Sequence, residues 1–326
     1  MQQPLLTIAI PTYRRHYLLR RALQSAITQV TNAELEIIVV ENPSASAAQP
    51  RLSETEHYCT QFKNAKLRYF RNEENFGMVG NWNRCLELAR GKWITILHDD
   101  DWLSPYFAAC CLAYIEQNPG IRLVGCKAFI ERKGDIQHMD YQPTSIPSFI
   151  IGPNHFLFGN PFFAPGVMFD REIALSLGAF DEDWYPTMDH YLWQCFAYDF
   201  PCAFIRLPLL HYSIEDNTSM KPEVLAGYIA NDFMQRSILI SRLYNNSHLL
   251  LLYSRLKVYR ELGFLISFFG LSIPSSVFHK AMSVTSWKPI NRHWILIYFP
   301  IRLFLLAVVW LLGNRKTEPF NQNLKT

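Results

Sequence analysis

The sequence predicts an α/β domain built on a mixed, mostly parallel sheet flanked by helices, followed by a helical C-terminal region. Three observations carry this expectation. Over the first hundred residues, short apolar runs alternate with stretches of helical spacing. Each apolar run is closed by a polar segment containing Pro, Asn, Ser or Asp. Beyond about Glu223 the composition shifts to long stretches rich in Leu, Ile, Phe and Tyr. Strands separated by helices pair in parallel, because the crossover is too long for a hairpin.

Leu5-Leu6-Thr7-Ile8-Ala9-Ile10 reads as the first strand, ended by Pro11-Thr12. Tyr17 to Val30 then carries Leu18, Leu19, Ala22, Leu23, Ala26 and Ile27 at helical spacing. Leu35 to Val40 is the second strand, closed by Glu41-Asn42-Pro43-Ser44 and a polar loop to about Pro50. Lys66 to Phe70 is a third strand, Val79 to Ala89 a helix, and Trp93 to Leu97 a fourth strand. Ser104 and Pro105 read as N-cap and first residue of a helix running to Gln117. Ile121 to Ile130 and Gly166 to Phe169 read as strands, and Arg171 to Leu177 as a helix ended by Gly178. The expected division is residues 1–222 as one domain and 223–326 as a helical region. In sheets of this kind ligands collect outside the carboxyl ends of the strands, and those ends carry Pro11-Thr12-Tyr13, Glu41 and a run of aspartates.

At 326 residues, with 49% hydrophobic and 14% aromatic composition, the chain can bury a full core. A formal net charge of +3 gives no general case for nucleic-acid binding. Seven cysteines show neither a CxxC pair nor the dense spacing of a disulfide scaffold, so a reducing cytoplasm is expected. No signal peptide is visible.

Asp99, Asp100 and Asp101 follow the run Trp93 to His98 directly. Adjacent like charges repel unless solvent, a cationic side chain or a metal compensates them. Carboxylate oxygens suit Mg²⁺ or Mn²⁺ rather than zinc. On the triplet alone, a metal site and a solvated acidic turn both remain open. A lone histidine such as His98 or His211 beside apolar residues reads first as structural.

Taken together, Ile10-Pro11-Thr12-Tyr13-Arg14-Arg15, Val39-Val40-Glu41-Asn42-Pro43-Ser44, Asn75-Phe76-Gly77-Met78-Val79-Gly80-Asn81-Trp82-Asn83-Arg84 and the aspartates resemble, in order, the family 2 glycosyltransferases of the GT-A fold. The resemblance covers roughly residues 5 to 220. It implies a nucleotide-sugar site from Pro11, Thr12, Tyr13, Arg15, Glu41, Asn75, Gly77, Asn81, Asp99 and Asp100. Asp101 would be the principal metal ligand and Asp99 would face the ribose or the metal, with Mn²⁺ or Mg²⁺ as the cofactor. Asp100, pointing the other way in an extended segment, would contact the sugar. Asn75, Gly77 and Asn81 also read as a glycine turn and a polar helix start. Gly178 to Glu182 followed by Met188-Asp189-His190 resembles the family's acceptor-side element. Only the second of its two acidic positions is kept, as Asp189, the expected general base. The arginine and histidine often found in the family's later loop are replaced by Tyr212 and Ile214.

Trp294 to Leu312 is 19 residues of nearly unbroken apolar character, interrupted by Pro300 and Arg302, with basic residues at both ends. A helix lying in the membrane interface fits this better than a span, with a buried or oligomer helix the third reading. The whole implies an inverting transferase at the cytoplasmic face of the inner membrane, peripheral or monotopic. Its donor would be a UDP-sugar and its acceptor a lipid-linked saccharide of polysaccharide or O-antigen assembly. A nucleotidyltransferase on a similar sheet would carry a Gly-rich loop after the first strand, which this chain lacks. A non-catalytic scaffold of the same fold is the other alternative.

Overall fold

The computed structural model describes residues 4–44, 53–62, 64, 66–131, 143–214 and 221–269, with 300, 303, 304 and 307. Most of the apolar stretch 294–312, and residues 215–220 of the loop after Tyr212, lie outside them. The chain divides into two compact units. One is Met1–Ile151, Phe162–Glu182 and Phe200–Asp216; the other is Gly152–Pro161, Asp183–Asp199 and Asn217–Thr326. The second unit thus draws on two segments earlier than residue 222.

Among the described residues, the first unit is built on a nine-stranded mixed sheet. β1 (Leu6–Thr12), β2 (Leu35–Glu41), β3 (Leu67–Arg71) and β4 (Trp93–Ile96) pair in parallel in the order β3-β2-β1-β4. β1, β2 and β4 are buried along their whole length, which is why each reads as a mostly apolar run, interrupted at Thr7, Glu36 and Thr95, rather than as an alternation. The helix α1 (His16–Ile27) buries Leu19, Ala22, Leu23 and Ala26, the one-sided set its spacing predicts. Next come α2 (Glu54–Gln61), started by Ser53, whose Oγ accepts the Glu56 N–H, and α3 (Gly77–Leu88).

Beyond β4, the two-residue β5 (Trp102–Leu103) pairs antiparallel with β9 (Cys202–Ser213). The Ser104 N–H extends that pairing to the Leu209 carbonyl, so α4 (Phe107–Gln117) starts later than the Ser104-Pro105 pair predicts. β6 (Leu123–Glu131), β7 (Ser148–Ile151) and β8 (Val167–Asp170) complete the sheet, β8 joining β4 and β6 antiparallel to both. Asp170 then caps α5 (Arg171–Ser176) through the Ile173 N–H.

At the amino end of the strands, Glu36 accepts the Thr7 hydroxyl at 2.8 Å, the Arg90 N–H at 2.9 Å and the Arg68 guanidinium. Gly91 is required beside it: a Cβ there would stand 2.5 Å from the Thr7 backbone nitrogen.

The second unit contains α6 (Met188–Asp199), α7 (Pro222–Tyr244) and α8 (His248–Phe269). Within it Asp232 binds Arg236 and, at 2.9 Å, Lys257. All seven cysteines are free and buried. Among the described residues, no helix is long and apolar enough to cross a membrane.

Candidate active site

The parallel strands bring Thr12, Glu41 and, just past the end of β4, the three aspartates to one edge of the sheet. Thr12 faces Glu41 across β1 and β2, and the Leu97 N–H donates to Ala9 as β4 ends. The chain then turns, with the Asp101 N–H donating to the His98 carbonyl at 3.3 Å. That turn breaks the alternation an extended segment would give.

Asp99 accepts the Thr12 hydroxyl at 2.8 Å and lies 3.6 Å from Arg15. Burial lifts its carboxyl to about 6; the Thr12 hydrogen bond and Arg15 offset only part of that. Asp100 accepts from Arg15 at 3.0 Å, and its carbonyl accepts from Arg21, whose guanidinium sits 3.4 Å above the Trp102 ring. Asp101 is fully buried. Its Oδ1 accepts the Ser213 N–H at 2.7 Å, while Oδ2 stands 3.3 Å from His98 Nδ1 and accepts no well-formed hydrogen bond. Burial raises the Asp101 carboxyl above its usual range, with His98 and the Ser213 N–H opposing. For His98 burial works against protonation, but the three aspartates outweigh it and raise the imidazole.

One ligand atom from each of His98, Asp100 and Asp101 lies within 4.8 Å of the others. Asp99 is outside this group, because the turn aims it at Thr12 instead. A buried carboxylate oxygen without a well-formed hydrogen bond is costly. Two carboxylates and an imidazole around such an oxygen form a donor set that suits a divalent ion. The residues therefore fit a cation.

Pro11 and Thr12 are buried and Tyr13 is exposed. Glu41 accepts from Ser53 at 2.5 Å and from Tyr69, so this carboxylate is tied to two hydroxyls. Asn75 accepts the Gly77 N–H at 2.9 Å, and Gly77 adopts φ +72°, which opens α3. Asn81 is buried, donating to the Val40 carbonyl and accepting from Asn72. Both ends of its amide are thus spent inside the protein. Asn83 exchanges two hydrogen bonds with the Phe180 backbone. His211 is buried and stacked on Trp102 at 4.7 Å.

In the second unit, Asp189 is half-buried in the first turn of α6, where the helix dipole favours a carboxylate. The segment leading into that helix is held from α7. Asn231 donates to the Trp184 and Tyr185 carbonyls, and Gln235 to the carbonyl and hydroxyl of Thr187. His190, next to Asp189, is buried within 3.1 Å of the Tyr228 hydroxyl, and burial lowers its pKa. Sequence reasoning missed the Ser213 N–H, a backbone donor that leaves no side-chain signal. It also missed Asn231 and Gln235, which stand one turn apart on α7 beside the equally polar Asp232 and Arg236 and so carry no distinct signal.

The family model of glycosyl transferase family 2 matches residues 7–174. An uncharacterized glycosyltransferase of Methanocaldococcus jannaschii is 28% identical over 235 residues, 70% of this chain and 78% of its own length. A GalNAc(5)-diNAcBac-PP-undecaprenol beta-1,3-glucosyltransferase of Campylobacter jejuni is 30% identical over 134 residues, 41% of each chain. Among solved structures, S. aureus TarS 1-349 in complex with UDP-GlcNAc is 14% identical with TM-score 0.54, covering 93% of this chain and 92% of that one. The mannosyltransferase PcManGT of Pyrobaculum calidifontis, in complex with GDP-Man and Mn²⁺, is 14% identical with TM-score 0.54 and covers 96% and 89%. At that identity the two structures establish the fold.

Proposed function

The chain belongs to glycosyl transferase family 2 and is a glycosyltransferase, and we propose that it is a metal-dependent inverting enzyme. It would move a sugar from a nucleoside-diphosphate donor, with uridine as the expected base, to a lipid-linked glycan. The setting would be assembly of a bacterial surface polysaccharide at the cytoplasmic face of the membrane. The observation that carries this reading is the convergence of Asp100, His98 and the buried Oδ2 of Asp101, an oxygen that accepts no well-formed hydrogen bond.

Asp100 and Asp101 would hold the cation, joined by His98, and Asp99, steadied by Thr12, would face the ribose. A divalent ion held there would supply positive charge to offset that of the departing diphosphate. Arg15, between Asp99 and Asp100, tempers their repulsion. Glu41, fixed by Ser53 and Tyr69, presents a carboxylate at the end of β2 toward the base. Asp189 would take the proton of the acceptor hydroxyl as its oxygen bonds to the anomeric carbon on the face opposite the leaving group. That bond forms as the carbon–oxygen bond to phosphate breaks, which inverts the centre. The names of the Campylobacter relative and of the two solved complexes support the acceptor, donor and metal classes. The exposed Leu303 and Phe304 support a membrane-facing C-terminal region.

The test is transfer of labelled sugar from UDP- and GDP-sugars to an undecaprenyl-diphosphate glycan, with and without Mn²⁺. Turnover should require metal and disappear in both Asp101→Ala and Asp189→Asn. A scaffold would show no turnover in the unaltered chain and would keep its cellular role in both variants. Thermal stabilisation by one nucleotide sugar, with metal present, identifies the donor.

A further inference from the structure

We propose that His98 is a direct nitrogen ligand of the cation held by Asp100 and Asp101, and that this nitrogen makes the site prefer Mn²⁺ to Mg²⁺. The inference rests on the metal-dependent reading above and assigns a ligand and an ion preference within it. Its basis is geometric. His98 Nδ1 and Asp101 Oδ2 are 3.3 Å apart. Neighbouring ligands of an octahedral ion with bonds of about 2.1 Å stand about 3 Å from one another. Asp101 Oδ2 and His98 Nε2 are both buried and lack a well-formed hydrogen bond, and the two side chains meet only through the Nδ1–Oδ2 approach.

Both side chains are held where they are by groups outside the cluster. The Ser213 N–H takes the other oxygen of Asp101 at 2.7 Å, and the Trp82 ring packs on the imidazole at a centroid distance of 5.2 Å. Such outer contacts orient ligands before an ion arrives. Mg²⁺ asks for oxygen donors and keeps its waters, whereas an imidazole nitrogen is an ordinary ligand for the later divalent ions. Replacing one oxygen by nitrogen therefore shifts the preference away from Mg²⁺. The competing account is a plain ion pair between His98 and Asp101.

Pulsed electron paramagnetic resonance of Mn²⁺ alone on the full-length chain separates the two. One bound Mn²⁺ should show ¹⁴N modulation that converts to ¹⁵N when the histidines are ¹⁵N-labelled and vanishes in His98→Ala. In that variant Mn²⁺ affinity should fall about tenfold or more, and Mg²⁺ affinity, read by competition, by less than about threefold. The labelled unaltered chain gives the answer even if His98→Ala fails to fold, and His98→Gln provides a second substitution. Mn²⁺ bound through Asp101 without nitrogen coupling overturns this inference and leaves the metal reading standing. No bound Mn²⁺ in the unaltered chain overturns both.

Discussion

Asp232 on α7 and Asp101 after β4 are both buried carboxylates, 3% and 0% exposed, yet they are treated in opposite ways. Burial alone would raise Asp232, but Arg236 one turn along and Lys257 on α8 overcome it and hold that carboxyl below its usual range. Lys257 also meets Glu261 at 2.9 Å, so two anions face two cations. Around Asp101, three carboxylates share Arg15 and an imidazole, one oxygen accepts no well-formed hydrogen bond, and burial wins, raising both Asp99 and Asp101. A neutralised cluster is a fold element. An under-neutralised one at a strand end holds charge in reserve for a ligand.

The largest effect expected is on catalysis. Asp101→Asn should lower turnover by about 10³-fold or more, the several kcal/mol that a bound cation contributes. Its melting temperature without metal at pH 7.5 should equal or exceed that of the unaltered chain, because an uncompensated charge is removed. Asp232→Asn should do the reverse in stability. It takes the carboxylate partner from buried Arg236 and leaves Lys257 with Glu261 alone, costing about 3–5 kcal/mol in denaturant titrations. Should the two variants lose stability equally, the contrast is false.

Part of this contrast was open to sequence reading and part was not. β1, β2 and β4 were legible because strands buried on both faces read as mostly apolar runs. The aspartate triplet was legible because its position at a strand end is a matter of chain order. Which aspartates converge was not, since the turn joining His98 to Asp101 is made by the backbone. β5, two residues long, and β7, four, are too short to carry a period. α2 has a polar composition with little one-sidedness, and it was missed. Asp232, Arg236 and Lys257 look like an ordinary solvated helix face until tertiary packing closes over them. The glycine-turn reading of Asn75 and Gly77 matches the observed α3 start.

The pH dependence sharpens the comparison at an intermediate scale. Asp99, raised to about 6 in the fold, binds a proton between roughly pH 4 and 6 that the unfolded chain has released. Stability therefore falls as pH rises through that window, by about 3 kcal/mol. Asp99→Asn should reduce this slope, leaving the part that the raised Asp101 carboxyl contributes. Asp232, held low, stabilises above its unfolded pKa of about 4 and loses that contribution as pH falls. Asp232→Asn should remove only this acid-side loss. Unfolding titrations between pH 3 and 8 check both signs, and Mn²⁺ should restore stability above pH 6.

The smallest effect expected is at Gly77. Its φ of +72° disfavours any side chain, but a Cβ there meets nothing within 4 Å. Gly77→Ala should cost about 1–2 kcal/mol of stability from backbone strain alone. Metal affinity should be unchanged, since Gly77 is outside the carboxylate cluster.

The central claim, that the under-neutralised carboxylates are a cation site, is tested most directly by calorimetric titration of Mn²⁺ into the unaltered chain and Asp101→Asn at pH 7.5. One ion bound per chain, lost in the variant, is the predicted result. Equal binding by both proteins, or none by the unaltered chain, would contradict it.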